Sequence, residues 1–328
     1  MRGSMVSANP DEARGEAWLE ELAEQGRPLT DKSNHWRHNA INLASLALLL
    51  AVVPGSYLAF RRLPTPLAIA MMGLVNGTVV FSLFTLVVHE ASHDQFLVVR
   101  SERLCRRLND VFGWAVCLLF TRDYEVHWRV GHNVHHRRVL EDDDPQNCAK
   151  YVLEGRELLT KLAKVWLIPL YELEVYRLWM KGLDDRCPKP EASYDAGPWL
   201  RGAGFLVGWT VILFVPFREA PVATLITTLV AIKMAITLNF LKSSFEHGGG
   251  YREVEDQRLK TRGLIFPLKD LCFPFCITPY HWEHHLVPGI PWYRLPRYRR
   301  AIAHQVPDAW RDWIFPPGPV LLQRVLLP

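Results

Sequence analysis

Eight of the thirteen histidines in this chain fall into three tight clusters. They are His89 and His93 in HEASH, His132, His135 and His136 in HNVHH, and His281, His284 and His285 in HWEHH. Neutral imidazole is the commonest protein ligand for transition metals, and eight grouped imidazoles exceed what one tetrahedral zinc can use. The count predicts a two-metal site. His247, in the segment SerSerPheGluHisGlyGlyGly, follows one apolar run at the depth at which His89 follows another. That position makes it a candidate further ligand, and His127, shortly before His132, is a second.

Spacing says how each cluster can act. His89 and His93 are four apart and share one helical face. His135 and His136 flank the direction in which His132 points, so the spacing predicts that all three converge on one cavity. The third cluster repeats this pattern. Carboxylates accompany the imidazoles: Glu90 and Asp94 at the first cluster, Glu246 before His247, Glu283 inside the third, and Asp144 in the run GluAspAspAspProGln. Such groups commonly accept the distal ring proton of a ligand and raise its basicity, and His127 fits the same supporting role. Asp142, Asp143 and Asp144 read equally as a solvated loop or helix cap. His35, His38 and His304 read as surface or interfacial residues.

Rival chemistries explain less. HEASH alone fits the HExxH pattern of zinc proteases, in which the Glu activates water, but that reading leaves six clustered histidines unused. HisGlyGlyGly at 247–250 resembles the oxyanion-hole glycines of some lipases, yet no GxSxG pentapeptide accompanies it. The glycines instead let the backbone turn beside His247. A non-enzymatic metal-binding protein or transporter is a further alternative, although transport sites lie near the bilayer midplane and these clusters lie at the ends of apolar runs. Six cysteines show no paired CxxC spacing and read as reduced thiols.

The elements that must carry the clusters are four apolar stretches, roughly 40–60, 66–88, 199–217 and 221–241, each close to the ~20 residues that cross a bilayer as a helix. Charged segments between them bring the mean hydropathy to zero despite 49% hydrophobic residues. Short linkers at 61–66 and 218–221 predict two antiparallel pairs. Two spans separate the third cluster from the first two, so all three fall on one membrane face. Most Lys and Arg lie there too, which makes that face cytoplasmic, although Arg61, Arg62 and Arg218 sit opposite. The expectation is an all-α integral membrane protein: four transmembrane helices in two hairpins beneath a cytoplasmic helical cap. Residues 1–35 read as a polar cytoplasmic leader without a signal peptide, 36–300 as the catalytic domain, and 301–328 as a cytoplasmic tail. Segments 109–120 and 157–180 read as interfacial or cap helices. Lys233, a basic residue well inside a proposed span, is a candidate functional residue.

HEASHD, HNVHH followed by AspAspProGln, and TyrHisTrpGluHisHisLeuValProGlyIleProTrpTyrArgLeuPro together resemble the membrane fatty acid desaturase and hydroxylase superfamily, in order and at family-like spacing from about 36 to 300. The last segment looks most like the bacterial acyl desaturase and hydrocarbon-oxygenase branch, and carotenoid ketolases share a similar ending. The resemblance implies a di-iron centre bound mainly by imidazole, with O₂ as co-substrate and electrons from outside. It maps the ligands onto His89, His93, His132, His135, His136, His281, His284 and His285, with His247 joining them. It implies desaturation or hydroxylation of a fatty acyl or lipid chain drawn from the bilayer, or oxidation of a carotenoid. No haem, flavin, nicotinamide or iron–sulfur motif appears, so a separate ferredoxin, rubredoxin or similar donor is expected, docking on basic surface such as Arg103, Arg106 and Arg107. Lipid phosphate is the alternative partner for those arginines. The formal charge of +4 suggests anionic headgroups rather than nucleic acid, and a bacterial inner membrane is the expected location.

Overall fold

Among the described residues, three apolar runs form helices long enough to cross a bilayer: α2 (His35–Phe60), α3 (Thr65–Ser92) and a long helix ending at His247. In this computed structural model the described residues are 12–118, 124–141, 144–146, 152–171, 173–174, 221–250, 254–265 and 279–327. The expected span at 199–217, like Asp142 and Asp143, lies outside them. All regular structure among the described residues is helical. The remaining helices are α1 (Glu12–Gly26), α4 (Glu102–Cys117), α5 (Gly131–His135), α6 (Gly155–Leu167), α7 (Pro221–His247), α8 (His281–Leu286), α9 (Leu295–Ile302), α10 (Asp308–Ile314) and α11 (Gly318–Leu326).

Central among the three long helices is α3: 56% of its most apolar window is buried, against 17% for α2 and 33% for the long segment of α7. The outer faces of α2 and α7 expose Leu48, Leu58, Val222 and Leu225, side chains that a lipid phase would cover. Along its inner face α3 presents Gly73 and Gly77, four apart, to α7. A Cβ on Gly77 would lie 2.3 Å from the Ala231 carbonyl oxygen and 2.7 Å from the Met234 Cβ, so only glycine permits this backbone approach. Lys233 on α7 donates to the carbonyls of Val165 and Ile168 at the end of α6. These carbonyls lie where the helix ends, and the lysine therefore has a helix-capping role.

Among the described residues two π-helical turns interrupt the α-helical register: Phe84–Val88 within α3, directly before His89, and Glu125–Val130, directly before α5. Such turns rotate everything that follows them. Here each sets the direction in which a histidine cluster leaves its helix.

The segment after the first cluster is clamped by buried side chains. His38 and Asn42 of α2 bond to the Gln95 carbonyl, and Asn42 also donates to the Phe96 carbonyl and accepts from the Trp292 indole. Asn109 of α4 accepts the backbone N–H groups of Phe96 and Leu97. The sequence suggests a surface or interfacial place for His38; it is 1% exposed, because its ring fills the junction between α2, this strap and the Tyr293 hydroxyl. His304 is exposed, as expected, and His35 half-buried. Leu19 and Leu22 of α1 are buried, and the Tyr298 hydroxyl donates to the Leu22 carbonyl.

Candidate metal centre

Nine histidines meet where the ends of α3 and α7 join α5 and α8, and they sort into two groups. His89, His93, His132, His136 and His284 form one; His135, His247, His281 and His285 form the other. Within each, one ring nitrogen from every residue lies within 4.8 Å of all the rest. The groups abut, with the His136 and His285 ring centroids 4.2 Å apart.

The partition differs from the single convergence expected of each cluster. Residues one apart on a helix point about 100° apart, whereas residues four apart nearly superimpose. Thus α5 sends the pair His132 and His136 to the first group and His135 to the second. α8 does the reverse, sending His281 and His285 to the second group and His284 to the first. The i, i+4 pair His89 and His93 completes the first group, and His247, the last residue of α7, completes the second. Gly249 and Gly250 then turn the chain away with φ of +83° and +94°. His127 is buried but belongs to neither group; its carbonyl accepts from the Gln146 amide.

The donor set fits bound cations. The Nε2 atoms of His132 and His284 each lie 3.0 Å from that of His136, and those of His247 and His281 are also 3.0 Å apart. The Nε2 atoms of His89, His93 and His285 have no hydrogen-bond partner among the described residues despite being buried. Orphaned buried acceptors carry a desolvation cost that a metal ion in each group would remove. Burial, reinforced for most of them by neighbouring imidazoles, holds His132, His136, His281, His284 and His285 well below the ordinary histidine range. Burial, aided by Lys32, pushes His93 down to about 4. The rings are therefore neutral, as coordination requires.

Distal nitrogens are held by three different devices. His135 Nδ1 bonds to Asp144 Oδ2 at 2.8 Å, His132 Nδ1 to Gln146 Oε1 at 2.9 Å, and His247 Nδ1 to the Lys260 carbonyl at 3.1 Å. Asp144 was among the carboxylates expected in this role; Gln146 was not singled out, although it ends the same acidic run. Glu246 is fully buried, its Oε2 3.4 Å from His281 Nε2 and bonded to Lys242. Glu90 Oε1 approaches His89 Nδ1 only to 3.8 Å.

Two expected partners serve elsewhere. Asp94 takes a left-handed conformation (φ 56°) that ends the helix and points its carboxylate at Arg129, at 2.8 Å, rather than at a histidine. Glu283 faces away from the metal groups and pairs with buried Arg299, whose guanidinium also donates to the Leu264 and Pro279 carbonyls. This pairing fixes α8, and both departures follow from a nearby cation attracting the carboxylate more strongly than a neutral imidazole.

A fatty acid desaturase family model matches residues 64–316 of the 328. The chain belongs to the fatty acid desaturase family. Both histidine groups lie within the matched region, and with the three apolar helices they mark this family member as a membrane oxidoreductase. Over 73 residues the chain is also 36% identical to a beta-carotene ketolase from Paracoccus sp. (strain PC1), a stretch covering 22% of this chain and 29% of the ketolase. The chain thus matches less than a third of that relative's length.

Proposed function

We propose that this protein is a membrane-bound non-haem di-iron oxidoreductase that uses O₂ and external electrons to desaturate or hydroxylate an aliphatic acyl or lipid chain. The observation that carries the reading is the division of nine imidazoles into adjacent groups of five and four. A zinc protease needs a few ligands and an open position for water. Here the HExxH pair shares its group with three further imidazoles and abuts a second group, an arrangement that suits two metals.

His89, His93, His132, His136 and His284 would hold one iron and His135, His247, His281 and His285 the other. The iron pair supplies the capacity to activate O₂ against an unactivated C–H bond. Asp144, Gln146 and the Lys260 carbonyl hold the Nδ1 protons of His135, His132 and His247, which turns Nε2 of each ring toward its group. Leu86, Val87, Val88, Ala91 and Trp282, chain neighbours of the ligands, are buried in the hydrophobic core, which keeps the ligand-bearing helices dry on that side. Desaturation removes two hydrogens from the chain and, with O₂, two electrons and two protons, yields two waters. Hydroxylation places one oxygen in the chain and the other in water from the same inputs. Placement of the substrate carbon decides between them.

The topology that goes with this reading has a fourth span at 199–217, two hairpins, and the metal groups on the cytoplasmic face of a bacterial inner membrane. The partial identity to a beta-carotene ketolase supports a second reading, oxidation of a carotenoid, with the same metal groups and a rigid polyene substrate. Lipid and carotenoid profiling of a host expressing the chain, beside His135→Ala and His284→Ala, tests both. New acyl or hydrocarbon products lost in both variants support the main reading, new carotenoid products support the second, and products unchanged by both substitutions overturn both. Metal analysis gives about two irons per chain for the di-iron reading and one zinc for a protease.

A further inference from the structure

Seven of the nine histidines are buried; His93 and His136 are only partly so. His93 forms part of the wall of an open cleft of about 540 Å³, lined also by Asp94, Gln95, Arg106, Arg129 and Arg137. Of the five-histidine group, His93 is the member that enters this wall. Arg129 is engaged by Asp94 and Asp110, which it meets at 2.8 and 2.6 Å. Arg106 and Arg137 are exposed and form no ion pair among the described residues. The cleft therefore carries uncompensated positive charge at its rim and a histidine in its wall.

Helix α4 shows how this charge is divided from the lipid-facing surface. Arg106 and Asp110 are four apart and share a side of this helix; Arg106 lines the cleft and Asp110 pairs with Arg129 in its wall. Arg107 instead shares a side with Leu104 and Val111, which are 49% and 65% exposed. Arginine flanked by exposed aliphatic residues suits a headgroup layer, whereas Arg106 and Arg137 both line the cleft. Of the three arginines proposed from sequence as one donor surface, Arg106 lines the cleft and Arg103 and Arg107 do not.

We propose that this cleft is the docking surface for an acidic one-electron carrier protein that delivers electrons to the five-histidine group past the edge of His93. This rests on the di-iron reading above. Each docking event oxidises one reduced carrier by one electron. Two events supply the two electrons of a turnover, and the two protons come from water. Charge complementarity of this kind raises the association rate, and salt screens it.

The test uses the full-length, iron-loaded protein in nanodiscs of neutral phosphatidylcholine, with a reduced acidic [2Fe–2S] ferredoxin as probe. Reduction of the iron centre is followed anaerobically by stopped-flow across a salt series. For the wild type the second-order rate is expected to fall steeply with ionic strength. Arg106→Glu and Arg137→Glu are expected to lower it at least tenfold at low salt and to flatten that dependence. Both should retain wild-type iron content and wild-type reduction by dithionite at high salt, which needs no docking. Arg61→Glu, at the far end of α3, should leave the ferredoxin rate unchanged. A salt-independent wild-type rate, or equal loss in Arg61→Glu, would overturn the proposal. So would an Arg106→Glu defect that appears only in nanodiscs containing phosphatidylglycerol, which would assign the arginine to lipid phosphate. Absence of iron from the wild type would instead remove the di-iron reading itself, a failure distinct from iron that is present and reducible but indifferent to these arginines.

Discussion

Asp144 is fully buried and its carboxylate ties three donors together: His135 Nδ1 at 2.8 Å, the Leu140 N–H at 3.0 Å and the Gln146 N–H at 2.9 Å. It fixes the ring of His135 and the turn that carries Gln146 to His132. Asp144→Ala leaves all three donors without a partner, at about 1–3 kcal/mol each where water does not replace the lost oxygen. Loss of a partner that orients a metal-binding imidazole typically lowers metal affinity about 10- to 100-fold, or about 1.4–2.7 kcal/mol. Asp144→Asn should be milder, since its amide oxygen can keep the His135 and Leu140 bonds and only the Gln146 contact turns donor to donor. The loss should fall mainly on the four-histidine group, because His135 belongs to it. Iron per chain, measured by mass spectrometry after equilibration with a graded chelator series, should therefore drop from about two toward about one in Asp144→Ala well before the wild type releases metal. Identical retention curves for wild type, Asn and Ala variants would refute the claim that this carboxylate orients a metal ligand.

Three further outcomes follow from the packing and the charges. Replacing Arg299 with Met leaves the fully buried Glu283 without its cation and should cost about 3–5 kcal/mol, read as a lower thermal midpoint in detergent; an unchanged midpoint would show that the pair does not anchor α8. Gly77→Leu cannot be accommodated against Ala231 and Met234 and should separate α3 from α7, with lost iron binding as the readout; full iron retention would contradict the close approach. His93, His132, His136, His281, His284 and His285 titrate below the ordinary value of 6.5, so their contribution to stability is fully present above that pH and is lost as pH falls toward the depressed folded values, about 4 for His93. The metal-free protein should therefore lose thermal stability between about pH 6.5 and about pH 4 as the unfolded chain takes up protons that the fold excludes, and a flat profile across that window would refute this.

The sequence by itself determined which residues could bind metal and which runs could carry them through a membrane, because both depend on residue type and local spacing. Eight clustered histidines predicted two metals, and His247 was identified from its position at the end of an apolar run. HisGlyGlyGly was correctly read as a turn. Local spacing could not say which histidine belongs to which group. His135 and His136 are neighbours in the chain yet face different groups, since a helix turns about 100° per residue and the facing elements decide which group each ring joins. Partners brought together from afar were equally out of reach: Arg299 claims Glu283, Arg129 claims Asp94, α6 claims Lys233, and the strap after the first cluster buries His38. Each of these depends on a cation, a carbonyl or a ring that only the tertiary fold supplies. Chemistry was thus written into residue types, while the assignment of each side chain to ligand, support or scaffold was settled by what packs against it.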